Sequence, residues 1–561
     1  MKRYILQPCL WAALLLWVHP AVNAANAGAQ ATAGAPAFNV RTFGATGDGK
    51  TLDTDAINKA IDAAVAAGGG TVYFPAGTYA CYSVHLKSNI ALYLDHGATL
   101  LAADPPREGS PGGYDAPEPN PWDEYQDFGH SHWHNSLIWG ENLENISILG
   151  PGRIFGEGLS IGWGRKDPLP GEPPLPRPSA ELTNAPANGV PIGPFGYPNA
   201  RDTLLAGVGN KAIALKNCRN VILRDFTIFH GGHFAILATG VDNFTLDNLK
   251  IDTNRDGIDI DCCKNVRVSN CTVNSPADDG ICPKSSYALG YARATENVTI
   301  MNCQVSGYEE GSLLDGTYRR KARDPFGGGP TGRIKFGTEA NGGFKNITIA
   351  NCVFDYCRGI ALEEVDGGSL EDVSINNITM RDIVNAPIFI RLGARLRGPD
   401  NPSVGVVRRI NISNLIAYNV APDHGILISG IPDHPIEDVS LSNIDILYQG
   451  GGTTKQADRN VPEDENDYPE PSRFGTMPSW GMFVRHVKGL EVSNVELGVM
   501  KPDLRPAFVL DDVKRAEFRF LKVPRYQNIS AFVLNHIEDF AVHQSYPVPD
   551  VRLDQIEKTS F

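Results

Sequence analysis

The chain has 561 residues, 42% hydrophobic and 20% charged, an ordinary balance for a water-soluble protein. Its formal net charge of −14 supplies no basic face for nucleic acid, so a polyanionic ligand would have to be met by a few local Arg and Lys residues. The 58 glycines and 40 prolines predict many turns.

Residues 1–24 have the layout of a secretory signal: Lys2 and Arg3, an apolar run from Leu10 to Val18, and Val22 and Ala24 ahead of a cleavage point. The run is too short to span a bilayer, and no later segment resembles a transmembrane helix. Export to the periplasm or outside the cell is therefore expected, with no membrane span. Residues 25–37 are expected to be a flexible segment, residues 38–545 the folded domain, and residues 546–561 a C-terminal tail. Asp55 to Ala67 has helical apolar spacing and stops at Gly68 and Gly69, which predicts a capping helix.

A repeat of short β-type runs follows, opened by Asn or Asp. Its copies are Asn145-Ile-Ser-Ile, Asn220-Val-Ile-Leu, Asn243-Phe-Thr-Leu, Asn265-Val-Arg-Val, Asn297-Val-Thr-Ile, Asn346-Ile-Thr-Ile, Asp372-Val-Ser-Ile, Arg409-Ile-Asn-Ile and Asp438-Val-Ser-Leu, with a weaker Leu490-Glu-Val. Apolar and polar residues alternate, as in strands. Many copies lead into a second run, such as Ala235-Ile-Leu or Gly257-Ile-Asp-Ile. The steps from Asn220 to Asn243 and Asn265 are 23 and 22 residues, a β-solenoid period. The predicted fold is all-β: a single-stranded right-handed parallel β-helix with an N-terminal capping helix. Cys218, Cys271, Cys303 and Cys352 each follow an Asn and are expected to form an interior ladder of thiols. The stretches 104–130, 166–201 and 450–479 break the repeat and are expected to be rim loops, where functional groups usually sit.

Four acidic residues crowd two neighbouring coils, in Asn254-Arg255-Asp256-Gly257-Ile258-Asp259 and Asp278-Asp279-Gly280. Asp256 and Asp278 are 22 residues apart, which predicts that they stack directly. Crowded carboxylates push their pKa values apart, the condition that glycosidic hydrolysis needs. An Asp ladder satisfied by turn N–H groups, or a calcium site, would use the same residues. Arg333 and Lys335 alternate onto one face and could grip a substrate carboxylate, or pair with the aspartates themselves. His230 and His233 could line the cleft. Trp133, Trp139 and Trp163 could stack on sugar rings or pack in the core, and Arg391, Arg485 and His486 could extend a cationic subsite.

These motifs resemble glycoside hydrolase family 28, the polygalacturonase family. The segments Phe43-Gly-Ala-Thr-Gly-Asp-Gly-Lys and Gly69-Gly-Thr-Val-Tyr-Phe-Pro resemble the N-terminal cap of pectin-active β-helices. Asn-x-Asp-Gly at 254–257, Asp-Asp-Gly at 278–280 and Arg-Ile-Lys at 333–335 match three of the family's four signatures in order. The resemblance implies an inverting hydrolase of α-linked galacturonic acid in polygalacturonan or rhamnogalacturonan, with Asp279 as general acid. Asp256 and Asp278 would be the bases, with Arg333 and Lys335 on a uronate carboxylate. The expected partner is an acidic polysaccharide or oligosaccharide, with no metal or cofactor and a monomeric chain. The family's Gly-His-Gly is missing; the region reads Gly307-Tyr-Glu-Glu-Gly, and Glu310 stands nearest to the histidine's position. Asn254, Glu310 and His233 complete the expected substrate-binding set. The long rim loops suggest an exo-acting enzyme. A polysaccharide lyase on the same fold, or a non-catalytic polysaccharide-binding β-helix, are the alternatives.

Overall fold

The left-handed backbone turn that opens each coil explains why asparagine recurs there. Asn145, Asn220, Asn243, Asn265, Asn297 and Asn346 all have φ between 52° and 57°. Asparagine tolerates this conformation better than most residues because its short polar side chain bonds locally. Here that side chain also bonds the next coil: Asn220 donates to Asn145 at 2.9 Å, Asn243 to Asn220 at 3.1 Å and Asn265 to Asn243 at 3.3 Å. Asn297 and Asn346 continue the ladder.

The computed structural model describes residues 37–106, 112–126, 129–161, 207–320 and 330–561. The expected signal sequence, the loop 166–201 and Trp163 lie outside these residues. Each strand of the repeat pairs in parallel with its copy one coil on. Val221 lies beside Phe244, Phe244 beside Val266, Val266 beside Val298 and Val298 beside Ile347. The register continues through Val373, Ile410, Val439 and Leu490, so the weak late copy is a full coil. These residues are 2% exposed or less and form one continuous apolar core along the solenoid axis.

A six-stranded parallel sheet makes the second wall. Its strands are β1 (Val84–His85), β2 (Ile138–Glu141), β3 (Lys211–Lys216), β4 (Phe234–Thr239), β5 (Asp256–Asp261) and β6 (Ile281–Lys284). Ile213, Ile236, Ile258 and Ile281 stack in register towards the core. A bridge from Ile281 to Ile334 carries the wall on to β7 (Lys335–Phe336), which pairs with β8 (Ile360–Glu364), and β8 with β9 (Ile388–Leu392).

Both ends are closed. Helix α1 (Thr54–Ala66) buries Ala56, Ile57, Ala60, Ile61 and Ala64 at the N-terminal end, as its spacing predicts, and Gly68 and Gly69 end it with positive φ. At the other end β10 (Phe532–His543) pairs antiparallel with β11 (Val551–Ser560). Residues 546–561, expected as a tail, are therefore largely this closing strand, which covers an edge that would otherwise offer unpaired backbone groups. Cys218, Cys271, Cys303 and Cys352 are buried in the coil interior, and all nine cysteines among the described residues are free thiols. Among the described residues no helix is long and apolar enough to cross a membrane.

The ladder accounts for a measurable share of stability. Asn265→Ala forces a β-carbon residue without a local bond into φ 57°, and should cost about 1–2 kcal/mol. Asn265→Gly relieves the backbone and loses only the amide bonds, so it should cost less. Thermal melting of both variants checks the order.

Candidate active site

Two turns on successive coils, together with the residues that lead into strand β7, gather the charged residues. The register decides which aspartates stack. Asp252 pairs with Asn274, an offset of 22, whereas Ile258 pairs with Ile281, an offset of 23. The turn before β6 is therefore one residue longer than the turn before β5. The backbone N–H of Gly257 donates to the carbonyl of Asp279 at 3.0 Å. Asp279, not Asp278 as the 22-residue spacing predicts, follows Asp256 in the ladder, and Asp278 is the extra turn residue. Gly257 is required at this contact, because a Cβ would lie 2.4 Å from the Gly280 carbonyl oxygen.

The three carboxyls do converge: one oxygen from each of Asp256, Asp278 and Asp279 lies within 4.8 Å of the others. Their surroundings differ sharply. Asp279 is buried at 1% exposure, with Oδ1 taking a 2.8 Å bond from Arg333 Nε and Oδ2 lying 2.7 Å from Lys335 Nζ. Burial opposes its charge, but Lys335 and Arg333 outweigh burial and hold the carboxyl well below the ordinary carboxylate range. Asp256 is buried at 3% exposure, and its Oδ1 has no hydrogen-bond partner. Burial, then Asp278 and Asp259, push its pKa well up, so it resists ionisation. Asp278 is the exposed member, its side chain 24% accessible, and it is bound by Arg255 at 2.6 Å. The proton and charge of such a cluster belong to the group as a whole.

Arg333 and Lys335 therefore pair with the aspartate cluster, the second of the two uses the sequence allows. Both are also covered from outside by the segment 451–479. Tyr468 lies 3.1 Å from Lys335 Nζ, and Glu470 accepts from Arg333 Nη2 at 2.8 Å. Glu470 is itself buried, and also binds Arg358 at 2.9 Å and Asn385 at 2.8 Å. The expected open cleft is consequently closed over these residues, and Asp278 is the aspartate that reaches solvent.

Known proteins resemble this chain in sequence and in fold. Residues 37–98 match the family described as rhamnogalacturonase A/epimerase, pectate lyase-like, and residues 180–321 match the right-handed β-helix region. A probable polygalacturonase of Vitis vinifera is 24% identical over 424 residues, which is 72% of this chain and 73% of its own. An exo-poly-α-D-galacturonosidase of Dickeya chrysanthemi is 29% identical over 271 residues, 44% of this chain and 41% of its own. The solved structure of a Thermotoga maritima exopolygalacturonase shares the fold, with a TM-score of 0.54 at 17% identity over 94% of this chain and 95% of that one. These likenesses support the resemblance to the polygalacturonase-like glycoside hydrolases of family 28.

Against that family pattern, this hydrolase fills the missing histidine's surroundings differently. Glu310, the nearest residue by position, pairs with His230 at 2.5 Å, and the backbone N–H groups of Gly311, Leu313 and Leu314 bind the Asp252 carboxylate. His233 lies in the wall rather than on an open cleft: it is 3% exposed and stacks on Phe234. Burial, then Arg255, keep it neutral. Asn254 is half-buried in the turn before Asp256. Trp133 is fully buried, with its Nε1 on Thr239, and is a core residue; Trp139 stacks on His134. Arg391 and Arg485 donate to the carbonyls of Glu463, Asp464, Val461 and Pro462, so they anchor the covering segment, and His486 binds Asp512. The residues missed from sequence are Arg255, Arg358, Tyr468 and Glu470. Arg255 stands inside the signature itself, but nothing local marks Glu470.

Glu363 on β8 gives the site a pH signature. It is fully buried, both its oxygens lack hydrogen-bond partners, and the nearest contact to Arg333 is 3.8 Å. Burial outweighs Lys335 and Arg333 and raises its pKa from 4.5 to about 8. Its stabilising contribution is therefore complete below pH 4.5 and is lost as the pH rises towards about 8, because the unfolded chain releases the proton first. Glu363→Gln should abolish this part of the pH slope, melting above the wild type at pH 8 and closer to it at pH 4.5. Asp279 has the opposite sign, contributing above the carboxylate range and losing its contribution only in strong acid. Asp279→Asn leaves two buried cations short of a partner and should cost about 3–5 kcal/mol, read from chemical unfolding.

Proposed function

We propose that this pectin-degrading hydrolase cleaves α-linked galacturonic acid units in polygalacturonan or rhamnogalacturonan by inverting hydrolysis, as an exported, exo-acting enzyme. The observation that carries the proposal is the unequal setting of one carboxyl cluster: Asp279 has a cation on each oxygen, while Asp256 is buried with an oxygen that has no partner.

That difference bears on the roles. A carboxylate clamped by Arg333 and Lys335 is a poor proton donor, so the assignment of Asp279 as general acid does not fit its surroundings. We assign Asp279 to orienting and deprotonating the attacking water. We assign the proton donor to the Asp256–Asp278 pair: Asp256 resists ionisation, and Asp278 is the member that reaches solvent, where the leaving sugar departs. The step balances simply: the C1–O bond breaks as the pair protonates the leaving oxygen, and water loses its proton to Asp279 as it bonds to C1. The inverting outcome is what the family resemblance implies; one oxygen of each carboxyl lies within 4.8 Å of the others, shorter than the ~6.5–9.5 Å usual for an inverting pair. The exo mode is supported by the covering segment 451–479, which closes one side of the groove.

Leaving-group chemistry separates donor from base. On natural linkages Asp278→Asn and Asp279→Asn should each lower kcat by about 10²–10⁴-fold. On an aryl galacturonide, whose leaving group needs no proton, Asp278→Asn should recover most of its rate and Asp279→Asn should not. Recovery by Asp279→Asn instead would return the donor role to that residue. Proton NMR of the first-formed anomer tests inversion, and mid-sized products from reduced oligogalacturonides would rule out the exo mode.

A further inference from the structure

The cations around the cluster are already neutralised from within. Arg255 is bound to Asp278, Lys284 to Glu339 at 3.1 Å, Lys335 to Asp279, and Arg358 to Glu470. Arg333 is shared between Asp279 on one nitrogen and Glu470 on another. A free uronate carboxylate arriving here would find none of these five unpartnered, and would add a further anion beside Asp278.

Glu470 is built into this place rather than draped over it. Its segment is fixed to the outer face of the coils by an apolar cluster of Val461, Phe474 and Met477 with Ala361, Phe389 and Phe483. Arg391 and Arg485 hold its backbone carbonyls. Asn385 donates to the Glu470 oxygen that the arginines leave free. The carboxylate thus presents both oxygens to fixed donors, the pattern by which a bound acid is held.

We infer that Glu470 is a specificity-determining residue: it occupies the Arg333–Arg358 position that a substrate carboxylate would take, so the sugar at the cleavage subsite is an uncharged one, such as a methyl-esterified galacturonate. The inference rests on the pectic reading of the site and narrows it. The sequence expectation that Arg333 and Lys335 grip a uronate carboxylate is replaced by an internal carboxylate doing so.

Binding and turnover are measured together on the full-length protein. Titration calorimetry compares galacturonate with its methyl ester, and kcat/KM compares oligogalacturonides with their fully methyl-esterified counterparts of equal length. The wild type should favour the ester in both. Glu470→Gln, which keeps the shape and removes the charge, should gain about tenfold or more for the free acid relative to the ester, chiefly in Kd and KM. A wild type that favours the free acid, a Glu470→Gln that weakens both ligands equally, or binding of neither ligand overturns the inference. The wild-type preference alone decides if the variant does not fold. Ester-selective binding without hydrolysis of either oligomer would overturn the hydrolase reading and leave the role of Glu470 standing.

Discussion

Parallel stacking of coils about 4.8 Å apart makes residues one period apart in sequence into contact pairs. Every other feature of the molecule inherits this constraint. It builds the core, because a single coil has too little apolar surface to bury. It also sets the electrostatics, because acidic turns on neighbouring coils cannot avoid one another. The fold accepts the crowding of Asp256 and Asp279 because the next coil brings Arg333 and Lys335 against Asp279.

Two identical carboxyl groups thereby acquire opposite tendencies. Asp279 has a cation on each oxygen and remains charged in spite of burial. Asp256, equally buried, has an oxygen with no partner and two acidic neighbours, and resists ionisation. Neither property belongs to aspartate as a residue type; each follows from what lies one coil away. Acid–base chemistry on a sugar needs such a division, and the solenoid supplies it from turns held in the stack of coils.

The covering segment works by a different logic. It contributes Tyr468 and Glu470 from beyond the coils, and docks through Phe474, Met477 and the arginine-held carbonyls. Its carboxylate is as well bound as those of the cluster. The hydrolase thus carries on its own chain the type of group that its cationic residues would otherwise select from the substrate.

The sequence by itself determined the coil, its inward face and the asparagine turns, since each is written in neighbours a few residues apart and repeated until periodicity is unmistakable. It also named Asp256, Asp278, Asp279, Arg333 and Lys335 as a group, because signature residues on adjacent coils must meet. It misplaced one contact: an extra residue in the turn before β6 puts Asp279, not Asp278, over Asp256, and a spacing of 22 cannot reveal where in the coil such a residue is absorbed. Only the tertiary structure decided what Arg333 and Lys335 bind and that the cleft is covered there. Glu470 reaches Arg333 across 137 residues of chain, and no local pattern encodes a contact made by docking an irregular segment onto a finished surface.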